Sequence, residues 1–334
     1  MNPYIGHSLQ LSGVVEYRLT GGKGDGMRML RVRNGKGMEL EISLDRCADI
    51  VTLTTDGVNM GYFAPCGYVH PAYYNNRGGE FLKSFTAGFF TTCGLTAVGS
   101  PCVDEGEELP LHGTISNTPC EQYSVQETED TIVITAQIRD ASLFSHQLVL
   151  DRTYTVSKTE NRISLSDRIV NIGSNQSPLL LLYHCNMGYP LLSENAEVVI
   201  PAGSVAPRND HAAEDIENCL SMEVPQSGYE ERCYYHDVIA KEGIARCGIY
   251  NPEIQKGVVI SYGKEALRYF TEWKMMGMGE YVLGLEPGNC TPDGRDVLRK
   301  NGTLMFLEPD EEYRTQLTFL ICNNHEMFKE EVTC

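Results

Sequence analysis

The chain has 334 residues, 42% of them apolar and 22% charged, the composition of an ordinary folded protein with ample core material. Its 27 Lys and Arg against 45 Asp and Glu leave a formal charge of −18, with no basic block anywhere, which speaks against nucleic acid, anionic membranes or a long polyanionic substrate as partners. A small neutral ligand, or one anionic group held by a local arginine, stays open.

The first residues, Met1 to Ser8, carry neither a basic nor an apolar leader segment, and no apolar run approaches the ~18 residues of a membrane span. A cytoplasmic location is the expectation. Twelve cysteines without a CxxC pair then read as reduced thiols, mostly small core residues.

Along the chain, apolar and polar residues alternate over Gly13 to Leu19, Met27 to Val32 and Met38 to Ser43. The same period of two returns over Thr131 to Ile138, His146 to Asp151 and Arg162 to Val170. It is the mark of half-buried strands. The turns between them, such as Asn34-Gly35-Lys36-Gly37 and Asp56-Gly57, suit tight hairpins. Further strands are expected at Ala196 to Ile200, Gly257 to Tyr262, Tyr281 to Leu285, Thr303 to Leu307 and Glu312 to Ile321. Helices are expected to be short, at Gly79 to Phe85 and Ala212 to Cys219, and the polar stretch Ala202 to Gly228 reads as a lid or insertion. Strands spread this evenly imply an all-β chain, a large antiparallel sandwich or barrel. A boundary could fall near Asp140 to Asp151, but no linker composition marks it, so residues 1–334 are read as a single domain.

Several residues could carry chemistry. Arg46 lies in Leu44-Asp45-Arg46-Cys47-Ala48-Asp49-Ile50, where it could bind a ligand hydroxyl or form an ion pair with Asp45. Arg77 stands among tyrosines and glycines in Tyr73-Tyr74-Asn75-Asn76-Arg77-Gly78-Gly79. His112, in Leu109-Pro110-Leu111-His112-Gly113, reads by itself more readily as a hydrogen-bonded loop histidine than as a ligand contact. His184 follows the apolar run Pro178 to Tyr183 and precedes Asn186, Gly188 and Pro190, so a titratable ring is delivered at the end of a strand. Trp273 could stack on a sugar ring or anchor the core. Glu286, in Gly284-Leu285-Glu286-Pro287-Gly288-Asn289, should share a face with Val282 and Gly284, and a carboxylate buried there would need a partner or a function. No HExxH, closely spaced His/Asp set, GxSxG elbow, P-loop or nucleotide-binding glycine turn is present, so no metal is expected from spacing.

The segments Asp45 to Ile50, Thr92-Cys93-Gly94-Leu95, Leu109 to Gly113, Tyr183 to Pro190 and Leu285-Glu286-Pro287 together resemble the galactose mutarotase-like superfamily of aldose 1-epimerases, and most closely its DUF4432 branch. The resemblance implies an antiparallel β-supersandwich. It implies roles as well: His112 as a substrate-binding histidine, His184 as general acid and Glu286 as general base. Arg77, in Asn76-Arg77, or Arg46 is the candidate for the superfamily's substrate-binding arginine, and Asn186 and Trp273 are placed with the substrate-binding residues. The context His184-Cys185-Asn186-Met187-Gly188 departs from the mutarotases' His-x-Tyr-Phe-Asn.

The implied reaction interconverts the α and β anomers of a free or modified sugar by proton transfer, with no cofactor and no metal. The implied partner is a small sugar, with neither nucleic acid nor membrane, and a homo-oligomer is left open. The competing class is a sugar-binding protein on the same fold without turnover. A third possibility is a polysaccharide lyase or another sugar isomerase on a similar sandwich, and the negative charge disfavours the lyase.

Overall fold

In the computed structural model, which describes residues 3–333, every ladder between strands is antiparallel. Strict alternation builds the nine-stranded sheet: Arg162–Asn171 and Thr131–Ala141 both bury every second residue without exception. Its spatial order runs Cys120–Glu127, Thr131–Ala141, Gln147–Ser157, Arg162–Asn171, Glu312–Cys322, Lys256–Gly263, Ile244–Asn251 and Glu197–Val199, with Ala240–Lys241 paired beside Ile244–Asn251. The strand Glu312–Cys322, late in the chain, lies between Arg162–Asn171 and Lys256–Gly263 and so joins early and late segments. Residues 140–151 fall in a hairpin whose strands pair Ala141 with Gln147, not in a linker.

Facing this layer is a seven-stranded sheet. Its order is Ala202–Pro207, Arg232–Val238, Tyr269–Gly277, Glu280–Gly288 and Ser177–Met187, with Phe90–Leu95 and Met305–Leu307 both pairing to the last of these. Ser177–Met187 is covered on both faces, which is why it reads as a continuous apolar run. A five-stranded sheet from Gly13 to Asn59 packs at one end, and one apolar cluster extends from Leu30 to Ile321.

Some expectations are corrected. Gly79 to Phe85 is a 3-10 helix at Gly78–Lys83, and Ala212 to Cys219 divides into a four-residue α-turn, Asp210–Ala213, and a 3-10 turn, Ile216–Asn218. The stretch read as a lid begins with the strand Ala202–Pro207, hydrogen-bonded to Arg232–Val238. Two further helices appear. Arg295–Asn301 is closed by Gly302 in the left-handed conformation. His325–Thr333 buries only Phe328 and Val332, too narrow a stripe to announce itself.

Where the sheets meet, the fully buried guanidinium of Arg152 binds Asp167 directly across the ladder at 2.7 and 3.0 Å, Asp49 at 2.6 Å, the Thr92 hydroxyl at 2.8 Å and the Cys47 carbonyl at 2.9 Å. Tyr183 donates to Asp167 at 2.8 Å. Removing one partner of a buried ion pair strands the other charge. Arg152→Met is therefore expected to lower unfolding free energy by about 3–5 kcal/mol in urea titrations; a loss below about 1 kcal/mol would show the network to be dispensable.

Candidate active site

The register of the seven-stranded sheet determines which side chains meet. Leu182 pairs with Gly288 and Cys185 with Leu285, which sets His184 opposite Glu286. Glu286 pairs in turn with Thr271, Thr271 with Tyr235, and His184 with Thr91. One cross-strand row on one face thus reads Thr91, His184, Glu286, Thr271, Tyr235. A second row carries Asn186, Gly284, Trp273 and Cys233.

This face floors a cavity of about 290 Å³ lined by His112, His184, Thr271, Trp273 and Glu286, with Phe81, Leu82 and Phe85 of the segment 78–85 as an apolar wall and Arg208 and Glu231 among its polar groups. The volume is close to the lower end for small-ligand sites. His184 Nε2 lies 3.1 Å from Glu286 Oε1. The contact is close but misaligned: Glu286 Oε1, His184 Nδ1 and Thr271 Oγ1 are buried without a hydrogen-bond partner among the described residues. The His184 ring is boxed edge-on by Phe85 at 5.2 Å, His112 at 5.5 Å and Trp273 at 5.2 Å.

Burial sets the proton positions. It pushes the His184 imidazole down to about 4, opposed by the Asn186 side chain, and pushes the Glu286 carboxyl well above its usual range, reinforced by Glu231 and opposed by Arg208. Both shifts favour the uncharged forms, a neutral imidazole beside a protonated carboxyl. His112 is likewise held neutral by burial, with His184 and Arg208 adding to the effect. Its Nδ1 accepts from the Gly99 N–H at 3.4 Å, which leaves Nε2–H as the donor.

Two glycines create the space. Gly113 has φ of +73°, and a Cβ there would lie 2.2 Å from the Gly94 carbonyl oxygen, so the Leu-His-Gly segment docks on the Thr92 to Leu95 strand only as it stands. At Gly284 a Cβ would lie 2.3 Å from Glu286 Oε1, so the glycine is the bed on which the carboxyl rests.

Four of the residues singled out in the sequence, His112, His184, Trp273 and Glu286, line this one cavity. Three do not. Arg46 is buried elsewhere, donating to the Val69 carbonyl at 3.1 Å and Asn117 Oδ1 at 2.9 Å, while Asp45 pairs with Arg28 instead. Arg77 is exposed at the N-cap of the helix Gly78–Lys83, outside the cavity. Asn186 lies on the same face but is buried outside the cavity lining and donates to the His184 carbonyl at 2.9 Å, so it touches the histidine rather than the cavity. Sequence reasoning missed Arg208, Glu231 and Thr271. Alternation from Trp273 would have found Thr271 two residues earlier; nothing local marks Arg208. That arginine donates to Ser100 Oγ at 2.8 Å and the Pro292 carbonyl at 3.1 Å.

Solved structures share this fold. A Klebsiella pneumoniae protein provisionally assigned as an aldose 1-epimerase aligns with TM-score 0.90 at 22% identity, covering 97% of this chain and 91% of its own. A galactose mutarotase-like protein of Clostridium acetobutylicum aligns with TM-score 0.66 at 16% identity, over 93% and 99% of the two chains. Galactose 1-epimerase of Lactobacillus acidophilus aligns with TM-score 0.62 at 10% identity, over 94% and 99%. No curated protein matches the sequence. The family described as "Domain of unknown function (DUF4432)" matches residues 24–321, nearly the whole of the galactose mutarotase-like fold, and the chain belongs to that family.

Proposed function

We propose that the protein is an aldose 1-epimerase-like enzyme that interconverts the anomers of a free or modified sugar. The observation that carries this reading is the juxtaposition of His184 and Glu286, facing each other across adjacent strands at 3.1 Å on the floor of a cavity for one small ligand. Anomer interconversion needs one group to take the proton of the anomeric hydroxyl and another to give one to the ring oxygen. Glu286 takes the first role and His184 the second. The ring opens, C1 rotates, and closure by the reverse transfers yields the other anomer.

The uncharged pair that burial favours, neutral His184 beside protonated Glu286, differs from the working one only in where a single proton sits. Its transfer from carboxyl to imidazole prepares the pair without exchange with solvent. His112 Nε2–H offers a donor to a sugar oxygen, and the Trp273 indole, whose Nε1–H is held by Glu231 at 2.6 Å, offers a flat face to the ring. A neutral sugar suits a rim where Arg208 and Glu231 offset one another.

Exchange NMR on a panel of aldoses, following the α and β anomeric signals, tests the proposal. Wild-type protein should accelerate exchange for at least one sugar, and Glu286→Gln should reduce the corrected rate by about 10²–10⁴-fold while leaving sugar binding measurable. Ligand binding without acceleration in the wild type would replace this reading with that of a sugar-binding module.

The background-corrected kcat/KM should hold through neutral pH. It should fall as pH drops through about 4, because His184 then gains its own proton and Glu286 can no longer act as base. At alkaline pH the raised Glu286 carboxyl loses the pair's only transferable proton, and the rate should fall again. A profile that descends through pH 6.5, the ordinary value of a histidine, would contradict this proton count.

Gly284→Ala should leave the circular dichroism unchanged yet cost about 10²-fold in rate, the effect of displacing a reacting carboxyl by about 1 Å.

A further inference from the structure

Behind the cavity floor, the strand Tyr269–Gly277 turns a different chemistry inward. Thr271 and Trp273 face the cavity, so alternation sends Glu272 to the opposite face. There His236 of Arg232–Val238 meets it, with Nε2 2.8 Å from Glu272 Oε2. The 3-10 turn Ile216–Asn218 ends at Cys219, whose Sγ completes a cluster in which thiol, imidazole and carboxylate atoms all lie within 4.8 Å of one another. All three residues are buried, Glu272 completely. Its second oxygen, Oε1, has no hydrogen-bond partner among the described residues. An unsatisfied buried carboxylate oxygen is costly. The nearby cation does not satisfy it: Lys274 Nζ is directed at Glu223 Oε1 and the Asn218 carbonyl, both at 3.1 Å, and Asp215 Oδ2 at 4.0 Å.

We infer that Cys219, His236 and Glu272 form a binding site for a divalent transition-metal ion, with zinc the ion that fits the donors. Sulfur, nitrogen and carboxylate oxygen are the donor types of tetrahedral zinc sites, whereas calcium and magnesium require oxygen shells. Bonds of about 2.0–2.3 Å place tetrahedral ligand atoms roughly 3.3–3.8 Å apart, so the widest separation must close by about 1 Å. Glu272 Oε1 or a water supplies the fourth position.

Charge balances on loading. The Cys219 thiol releases its proton to solvent, and thiolate and carboxylate offset the two charges of the ion. Lys274 stays with Glu223. All three ligand residues are buried, so the site is structural: it fastens the segment that follows Arg208 to the strand carrying Thr271 and Trp273. The three ligands come from separate segments, which is why spacing in the sequence pointed to no metal. The inference does not depend on the sugar reading.

The test uses the untagged full-length chain, stripped by chelator and titrated with Co²⁺. A single equivalent should bind with a thiolate-to-cobalt charge-transfer band in the near ultraviolet and intense tetrahedral bands in the visible. Cys219→Ser should abolish the near-ultraviolet band. Cys66→Ser and Cys102→Ser, at thiols that are only partly buried, should retain it. His236→Asn should weaken binding by at least about 10- to 100-fold, the loss already seen when only a group supporting a ligand is removed. Zinc should raise the Tm of the stripped wild type. Absence of the band, its survival in Cys219→Ser, or its loss in either control overturns the site. Should Cys219→Ser fail to fold, unchanged cobalt affinity in His236→Asn overturns it alone.

Discussion

One guanidinium holds the layers together. Arg152 projects from the nine-stranded sheet and binds Asp167 of its own sheet, Asp49 from the five-stranded sheet and Thr92 of the seven-stranded one. An ion buried this deeply is tolerated only because every donor is matched. The chain is shaped to match it: Cys47 and Ala48 both take the left-handed conformation, which aims the Cys47 carbonyl at Arg152 and the Ala48 carbonyl at the Tyr154 hydroxyl. The segment Asp45 to Ile50, so distinctive in the sequence, is therefore the fold's fastening and not a ligand contact.

The fastening also decides what faces the cavity. Thr92 and Tyr183, paired across their ladder, both point inward to the Arg152 cluster. Their neighbours Thr91 and His184 must then point outward to the cavity. A slip of one residue in Ser177–Met187 would turn the imidazole into the core and the tyrosine toward the cavity. The same alternation delivers Glu286 from Glu280–Gly288, where Asn289 caps the ladder by bonding the Leu181 N–H at 2.7 Å and the Leu179 carbonyl at 3.1 Å. Structural polar groups on one side of the strand thus position the titratable ones on the other.

Much of this was legible where each residue reports a single environment. Thr131–Ala141 and Arg162–Asn171 alternate cleanly because one face is core and the other solvent. Tyr269–Gly277 escaped because it is covered on both faces and carries Glu272 and Lys274 inward among aromatic residues, so no period of two survives. Ile244–Asn251 escaped for a related reason, since Tyr250 on its outer side is covered by Phe328 of the helix His325–Thr333. In the cavity, His112, His184 and Glu286 were visible through their glycine- and proline-rich surroundings, the marks of close backbone approach. Arg46 misled because a buried arginine satisfied by a carbonyl and an asparagine looks, in sequence, like one awaiting a ligand. Its burial pushes the guanidinium down to about 10, the consequence of lacking a direct carboxylate partner.

The rim constrains the ligand in a way the floor does not. Arg208 is the cavity's only cation among its lining residues, yet it is already engaged by Ser100, the Pro292 carbonyl and, at 3.6 Å, Asp293, which is itself held by Tyr235 and Thr291. An anionic group entering the cavity would have to draw Arg208 from these partners while approaching Glu231 and a protein of charge −18. A hydroxylated neutral ring meets no such opposition. It brings donors and acceptors to the polar side chains of the lining, His112, His184, Thr271 and Glu286 among them. An apolar ring of the same size would cover those groups without returning a hydrogen bond, which disfavours it against a polyhydroxylated one.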